Sequence, residues 1–420
     1  MPPRFHLLIS AQFASALADN ALLIVTIALL REQGLPPWWA PMLKFGFTIS
    51  YVVLAPFVGP LADTFPKARL MACMNGVKVL GVIALLTGLH PVAAFAMVGF
   101  GAAAYAPAKY GLVTELVGPA RLVEANSWLE VSIVCAALLG TVVGGVLVSP
   151  WLLGSVLARG GREWLDGLAT VHHSALSLSL LALLAIYALA ALLNIGVPDS
   201  GARYAASRIH PVVLVRQFRQ SHLTLWRDRD GGLSLAVTTI FWGVGATLQF
   251  AVLRWAADVL HLPLDQAAYL QGAVAIGVIA GATAAGLWVP LVRAKRMLVM
   301  GVALGLMMPL VASATGLAVA VPLLVSVGVV GGLLVVPLNA LLQHRGCTLL
   351  SAGRSVAVQG FSENASVLCM LAGYAALVAM EVPIVALMWG FGLSIAAAIA
   401  ALMVRERAIT RRDGVSAAAA

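Results

Sequence analysis

Charge is scarce in this sequence. Of its 420 residues, 10% are Asp, Glu, Lys or Arg and 61% are hydrophobic, and the mean hydropathy is +0.97. A soluble chain of this length needs more charge to cover its surface, so the composition excludes a soluble globular protein. Cysteine is also scarce. The four cysteines are far apart, and without a CxxC or Cys/His spacing they predict neither a zinc site nor a redox pair.

Several motifs of soluble enzymes and exporters are missing as well. The sequence has no GxxxxGK phosphate loop, so we expect no ATP-driven step and no bound cofactor. His172 and His173 with Asp166 lack further ligands, so we predict no metal site. The first apolar stretch runs through Asp19 to Leu30 without a small-residue cleavage pattern, so we do not interpret it as a cleaved signal.

What the sequence has instead is a series of long apolar stretches. A membrane-spanning helix needs about 20 apolar residues. Twelve stretches reach this length or approach it, and they predict twelve spans at about 8–30, 41–62, 70–89, 92–114, 127–149, 176–197, 233–257, 267–291, 297–316, 318–343, 355–379 and 382–404.

The basic residues predict the orientation of these spans. The formal net charge is +9, and most Lys and Arg residues fall in alternate loops, whereas the opposite loops carry little beyond Arg31, Arg159 and Arg162. The positive-inside rule then places both termini and the central connection in the cytoplasm. We interpret the charge as a topology signal, and we expect no nucleic-acid partner. The basic set is Arg4, Lys67, Arg69, Arg121, Arg203, Arg208, Arg216, Arg219, Arg227, Arg229, Arg293, Lys295, Arg296, Arg345, Arg354, Arg405, Arg407, Arg411 and Arg412.

The chain divides into two similar parts. We predict an N-terminal six-helix half at 1–197, a cytoplasmic basic linker at 198–232, a C-terminal six-helix half at 233–404 and a cytoplasmic tail at 405–420. A segment that begins at Pro107 in the first half has a counterpart that begins at Pro337 in the second. A repeat about an axis along the membrane normal is typical of major facilitator halves.

A short loop between spans two and three carries the first specific motif. It reads Gly-Pro-Leu-Ala-Asp-Thr-Phe-Pro-Lys-Ala-Arg from Gly59 to Arg69. A Gly, an acidic residue and two basic residues at this spacing resemble the loop signature of the major facilitator superfamily. The expected fold is therefore an all-α membrane protein, the major facilitator fold with about twelve transmembrane helices in two pseudo-symmetric halves.

Four longer stretches resemble one branch of that superfamily, the bacterial lysophospholipid transporters. They begin at Gln12, Ala55, Gly101 and Val335, and the similarity covers nearly the whole chain in the same order. The resemblance implies movement of lysophosphatidylethanolamine and lysophosphatidylglycerol from the outer to the inner leaflet of the bacterial inner membrane. It also implies coupling to a lysophospholipid acyltransferase. The chain departs from the family at Gln249, where a basic residue is expected, and Arg254 lies about 140° further around the helix.

Charged and polar residues inside the spans are the candidates for head-group binding. An ionisable group within a membrane helix is costly and indicates function. Asp19 could accept an ammonium, bind a cation or pair with a base, and Lys78 and Lys109 could meet a phosphate. Lys109 could instead pair with Asp19 or Glu115. Lys78 could instead pair with a nearby residue or extend its ammonium to the membrane interface. The full predicted set is Asp19, Asn20, Lys78, Lys109, Gln249 and Asn339.

A second set is predicted to control a gate. Gly59 would let two helix ends approach, and Asp63 could accept hydrogen bonds from a basic residue or from a helix N-terminus across the two halves. The full gating set is Gly59, Asp63, Lys67, Arg69, Glu115, Glu130 and Glu363.

Three other functions were compared with lysophospholipid transport. A proton-coupled drug or amphiphile exporter of the same fold could use Asp19 as its proton carrier, but the exporter motif GPxxGG has Thr141 in place of Pro. A membrane acyltransferase needs His and Asp separated by four residues, and His261 and Asp265 have three between them. A receptor or scaffold was the third. We expect no enzyme activity, a monomer, and membrane lipids and the lysophospholipid as partners.

Overall fold

The computed structural model describes residues 3–36, 39–155, 174–197, 200–202, 204, 210–262 and 264–418, and in these ranges the chain is helical, with no strand. Two 3₁₀ segments, Pro119–Arg121 and Leu291–Met297, precede helices. The helices are α1 Pro3–Glu32, α2 Trp39–Thr64, α3 Lys67–Leu86, α4 Pro91–Leu116, α5 Leu122–Leu147, α6 Pro150–Leu153, α7 Ser177–Ile195, α8 Pro211–Arg227, α9 Arg229–Asp258, α10 Leu264–Trp288, α11 Leu298–Ala312, α12 Leu317–Leu349, α13 Ala352–Ala379 and α14 Ile384–Ala418.

Twelve helices in the described ranges are long and apolar enough to cross a membrane, which confirms the predicted number of spans. Inside a bilayer every backbone N–H and C=O must find a partner within the protein, and a helix satisfies them within its own segment. Prolines stand inside several of these helices, including Pro56 and Pro60 of α2 and Pro107 of α4. Packing against neighbouring helices allows membrane helices to tolerate them.

The predicted linker contains a helix that hydropathy alone did not indicate. Residues 198–232 were expected to be a basic connection, yet α8 occupies Pro211–Arg227 and the next span begins at Arg229. Within the predicted tail at 405–420, helix α14 continues as far as Ala418. Arg159, Arg162, Asp166, His172 and His173 lie outside the described residues.

The chain forms two compact units. The first comprises Met1–Gly118, Ser132–Leu225 and Gly346–Asn364, and the second comprises Pro119–Val131, Trp226–Arg345 and Ala365–Ala420. One core of the first unit includes the buried side chains of Leu22, Val82, Phe95 and Tyr187. The core of the second unit surrounds Trp255, whose indole Nε1 donates a hydrogen bond of 3.2 Å to the Ala312 carbonyl.

The boundaries of these units fall inside four helices, α5, α8, α12 and α13. The first residues of α5, up to Val131, group with helices of the C-terminal half, and the first part of α13, up to Asn364, groups with helices of the N-terminal half. Each unit therefore contains residues from both sequence halves. The division at 1–197 and 233–404 stays a prediction based on the repeat.

Candidate functional site: a buried ion pair and a set of helix-end contacts

The carboxylate of Asp19 in α1 binds the ammonium of Lys78 in α3. Lys78 Nζ lies 2.9 Å from Oδ1 and 2.7 Å from Oδ2 of Asp19. The Lys78 side chain is 2% exposed and that of Asp19 is 17% exposed. Each charge thus compensates the other within the bundle, which is the condition under which charges are tolerated there.

Hydrogen bonds extend this ion pair into a polar cluster. Lys78 Nζ also donates to Ser15 Oγ at 2.9 Å, and Ser15 Oγ donates to Asn75 Oδ1 at 2.7 Å. The Tyr187 hydroxyl of α7 donates to Asp19 Oδ1 at 2.7 Å. Lys78 Nζ lies 5.4 Å from the ring centroid of Tyr105 and 5.7 Å from that of Tyr187, both within cation–π range.

Asp19 and Lys78 were predicted from the sequence, but their neutral neighbours were not. Ser15 lies four residues before Asp19, and Asn75 lies three residues before Lys78, so each pair shares one face of its helix. That spacing was available in the sequence as a signal. Tyr187 and Tyr105 carry no such signal, because aromatic residues in a span usually pack against other side chains or lie at the membrane interface.

Two further candidates from the first half make different contacts. Lys109 is buried, and its Nζ lies 4.3 Å from the ring centroid of its neighbour Tyr110. Asn20 donates from Nδ2 to the Ala16 carbonyl at 2.8 Å, one turn back along α1. The head-group roles of both residues stay predictions.

The candidates from the second half belong to the other unit. Gln249 in α9 is exposed, and its backbone carbonyl accepts a hydrogen bond of 2.9 Å from Gln271 Nε2. Asn339 in α12 is buried. Arg254 pairs with Asp258 one turn further along α9, at 3.2 Å, so its Nε is engaged locally.

Asp63, at the end of α2, caps the start of α13. Its Oδ1 accepts a hydrogen bond of 3.0 Å from the Gly353 N–H, and its other oxygen accepts one from Ser351 Oγ. The first N–H groups of a helix have no partner within the helix, and their dipoles favour a negative charge. The helix N-terminus that Asp63 was expected to meet is therefore that of α13.

Two glycines allow α2 and α13 to come this close. A Cβ on Gly353 would lie 2.6 Å from the Gly59 carbonyl oxygen and 2.7 Å from Asp63 Oδ1. A Cβ on Gly59 would lie 3.0 Å from the Arg354 Cα. Side chains at either position would separate the helix ends, so the carboxylate contact depends on both glycines.

Lys67 and Glu115 form a second buried ion pair beside this contact. Lys67 Nζ lies 2.5 Å from Glu115 Oε1, and their side chains are 4% and 8% exposed. Glu115 also accepts hydrogen bonds from Ser200 Oγ at 2.5 Å and from the Tyr204 hydroxyl at 3.0 Å. Burial, reinforced by the Glu115 carboxylate, raises the pKa of Tyr204, so the phenol stays a donor at neutral pH.

The other predicted gating residues occupy different surroundings. Arg69 is exposed on α3, and Glu130 is buried in α5. Glu363 Oε1 accepts a hydrogen bond of 2.8 Å from Gln359 Nε2 one turn earlier in α13. Their roles in gating stay predictions.

An amide pair that the sequence did not predict joins the start of α5 to the end of α12. Asn126 Nδ2 donates to Gln343 Oε1, and Gln343 Nε2 donates to Asn126 Oδ1, both at 2.9 Å. Gly286 of α10 packs on the same part of α5, where a Cβ would lie 2.5 Å from Ser127 Cβ. Neutral side chains and a close glycine contact thus hold the beginning of α5.

The glycines of the Gly-Thr-Val-Val-Gly-Gly segment in α5 serve helix packing. A Cβ on Gly140 would lie 2.5 Å from the Leu17 carbonyl oxygen, and one on Gly144 would lie 2.9 Å from the Ala21 carbonyl oxygen. Small residues four apart let two membrane helices approach closely. These contacts explain the glycine spacing without an exporter function.

Family comparisons agree with this architecture. The profile of the Major Facilitator Superfamily matches residues 8–362. Among solved structures, a bacterial homologue of the iron transporter ferroportin has a TM-score of 0.73 at 16% identity and is similar over 97% of this chain and 100% of its own. The Escherichia coli fucose:proton symporter has a TM-score of 0.70 at 16% identity, over 96% and 97% of the two chains. At this identity the likeness concerns the fold alone.

Curated relatives are much more similar in sequence. The lysophospholipid transporter LplT of Yersinia enterocolitica is 40% identical over 377 residues, which are 90% of this chain and 87% of that protein. The protein of the same name from Citrobacter koseri is 40% identical over 401 residues, which are 95% and 94% of the two chains. These relatives are transporters and not enzymes, as the sequence predicted. The chain belongs to the major facilitator superfamily and, within it, to the family of the lysophospholipid transporters.

Proposed function

We propose that this protein moves lysophospholipids from the outer to the inner leaflet of the bacterial inner membrane by alternating access, without ATP. Lysophosphatidylethanolamine and lysophosphatidylglycerol are the proposed substrates. The observation that carries the proposal is the 40% identity to transporters of that name over 95% of the chain. The missing phosphate loop supports a mechanism without ATP.

The chemistry of the substrate matches the charges in α1 and α3. A lysophospholipid has one acyl chain and a charged head group that hydrocarbon does not solvate, so a transporter must offer the head group compensating polar groups. Asp19 is the more exposed partner of its ion pair, at 17% against 2% for Lys78. We propose that Asp19 meets the ammonium of the head group while Lys78 holds the carboxylate in place.

The helix-end contacts support a gate on the side of the α2–α3 loop. Asp63 is bound to the start of α13, and Asn126 is bound to the end of α12, so each contact joins residues from the two sequence halves. Alternating access requires such contacts to break and re-form as the halves move. We propose that Asp63, Lys67 and Glu115 act in this gate.

The proposal also covers the membrane in which the protein lies, its orientation there and its oligomeric state. The basic loops support cytoplasmic termini in a bacterial inner membrane, where an acyltransferase would rebuild the diacyl lipid from the delivered substrate. We propose that the protein works as a monomer.

Leaflet exchange in proteoliposomes tests the proposal. Purified protein should accelerate transfer of a labelled lysophosphatidylethanolamine over that of a diacyl lipid with the same label. Equal rates for both lipids, or a rate no higher than in empty liposomes, would contradict it. An imposed proton gradient with and without an uncoupler distinguishes the proton-coupled exporter, whose rate should depend on the gradient.

A further inference from the structure

Helix α8 has the composition of a membrane-surface helix. It carries three arginines, Arg216, Arg219 and Arg227, and no acidic residue. Four large apolar side chains on the same helix are exposed: Val212 at 70%, Val215 at 48%, Leu223 at 39% and Trp226 at 37%. Exposed apolar residues beside arginines are typical of helices that lie in the interface of a bilayer.

These residues are sorted by side around the helix. At about 100° per residue, the exposed apolar residues Val215, Trp226, Val212 and Leu223 fall within a sector of about 80°. The buried residues Leu214, Ser221 and Leu225 occupy a second sector on one flank of the apolar sector. Arg216, Arg227, Gln220 and Thr224 occupy the sector on the other flank, and all four are exposed. Arg219 is also exposed and falls inside the apolar sector, where its long side chain can extend the guanidinium toward lipid phosphates. Helix α8 thus has a protein-facing side, an apolar side that contains one arginine, and a polar side.

The buried side of α8 contacts α2 and α13, and the positions of these contacts indicate the depth of α8 in the bilayer. The Phe218 ring packs at 5.3 Å between centroids on Phe361 of α13, nine residues into that helix, and the His222 ring packs on Phe361 at 5.7 Å. On the other side, α8 lines a crevice with Ala55 and Pro60, nine and four residues before the end of α2, and with Arg354 and Ala357, two and five residues into α13. At 1.5 Å per residue, these contacts lie about 3 to 13 Å from the helix ends.

These distances can be compared with the thickness of a bilayer. Helices α2 and α13 have 26 and 28 residues, or about 40 Å, against a hydrocarbon core of about 30 Å. Each therefore extends about 5 Å beyond the core at either end. The contacts of α8, about 3 to 13 Å from the helix ends, therefore lie between the region of that boundary and about 8 Å below it, which is where interfacial helices insert their apolar side.

We propose that α8 is an in-plane helix whose apolar side, formed by Val212, Val215, Leu223 and Trp226, lies in the cytoplasmic leaflet and whose arginines bind the anionic phospholipids of that leaflet. The leaflet assignment rests on the orientation proposed above. Phosphatidylglycerol is the expected lipid class, because its net negative charge complements a helix with three arginines and no carboxylate. A zwitterionic head group offers no such net charge. Because α8 contacts both α2 and α13, this lipid surface lies next to the Asp63 contact.

Spin labels on two sides of α8 test its position. Full-length protein carries Val215→Cys or Thr224→Cys after replacement of Cys73, Cys135, Cys347 and Cys369, and it is reconstituted into vesicles of phosphatidylethanolamine and phosphatidylglycerol. The label at 215 should collide mainly with oxygen, which concentrates in the acyl region, and the label at 224 mainly with a water-soluble nickel complex. Equal nickel accessibility at both positions would overturn the proposal.

A second measurement tests the charge without a label. Changing Arg216, Arg219 and Arg227 together to Gln should lower the amount of phosphatidylglycerol retained by the protein from mixed nanodiscs, by about fivefold per charge at low salt. The matched variant with Lys at all three positions should retain it, and high salt should reduce the difference. Unchanged retention in the Gln variant would refute lipid binding by these arginines. Neither experiment measures transport, so its outcome is separate from that of the proposed function.

A third measurement, hydrogen–deuterium exchange, uses wild-type protein and therefore needs no substitution. Backbone amides of residues 212–227 should exchange with deuterium more slowly in vesicles that contain phosphatidylglycerol than in vesicles of phosphatidylethanolamine alone. Identical exchange in the two kinds of vesicle would contradict the selective contact with anionic lipid.

Discussion

Lys78 Nζ contacts both carboxylate oxygens of Asp19, at 2.9 and 2.7 Å, although the two residues are 59 positions apart in the chain. Tyr187 donates a third hydrogen bond to the same carboxylate. Asp19 and Lys78 are therefore coupled, and a substitution at one of them changes the environment of the other.

Removing one member of this pair should destabilise the protein more than removing both. Asp19→Ala or Lys78→Met leaves an uncompensated charge among apolar helices, which typically costs about 3–5 kcal/mol. The double variant leaves no charge and should be less destabilised than the sum of the single variants. Thermal unfolding in detergent measures this, and additive losses would show that the two residues act independently.

Loss of Asp19 should also change the preference between substrates. If its carboxylate meets the substrate ammonium, Asp19→Ala lowers transport of lysophosphatidylethanolamine more than that of lysophosphatidylglycerol, which has no ammonium. Leaflet exchange of the two labelled lipids by the same preparation measures the ratio. An equal decrease for both lipids would assign Asp19 to the Lys78 pair alone. Thr141→Ala, an exposed α5 position whose hydroxyl bonds within its own helix, is the control.

Asp63→Asn should slow transport and leave substrate binding largely unchanged. The amide is nearly isosteric but carries no negative charge, so the interaction with the α13 N-terminus weakens by about 1 kcal/mol. Equilibrium binding of a fluorescent lysophospholipid, measured beside leaflet exchange, separates the two effects. Lost binding with an unchanged rate of conformational exchange would assign Asp63 to the substrate site.

Gly353→Ala should disturb the same contact sterically. The added methyl would lie 2.6 Å from the Gly59 carbonyl oxygen, a backbone atom that cannot move aside freely, and overpacking of this kind costs about 1–3 kcal/mol. Gly373→Ala in the same helix is the matched control, because no atom beyond its chain neighbours and its own helix backbone lies within 4 Å of the added methyl. A fluorophore pair across the ends of α2 and α13 should report separation only in the Gly353 variant. The same response in both variants would show a general effect on α13.

Acidification should loosen α8 through His222, which lies outside the spans. Burial lowers the pKa of His222 below its unfolded value of about 6.5, so the folded protein favours the neutral ring that packs on Phe361. Stability from this packing is present above pH 6.5 and is lost as the pH falls below it, because the unfolded state binds the proton more readily. His222→Phe should therefore lose less thermal stability between pH 7.5 and 5.5 than wild type. His210→Phe, at an exposed position, should behave like wild type.

Several features of the protein could be read from the sequence, because they depend on local properties. Each span must be apolar over about 20 residues wherever it lies in the bundle, so hydropathy alone predicted twelve spans. The loop from Gly59 to Arg69 carries its glycine and charges within eleven positions, and Asp19 is conspicuous as a carboxylate in an apolar stretch. These local patterns were sufficient for the fold and for naming Asp19, Lys78 and Asp63 as candidates.

The partner of each charge was decided only by the tertiary structure. Lys78 and Lys109 were both available to Asp19, and the choice depends on which sides of α1, α3 and α4 face one another, which hydropathy does not encode. Asn126 and Gln343 are 217 residues apart, and neither is unusual in its own helix. The depth of α8 likewise follows from its contacts with α2 and α13, because a short helix with arginines and exposed apolar residues can lie in water or in the membrane interface until packing fixes its position.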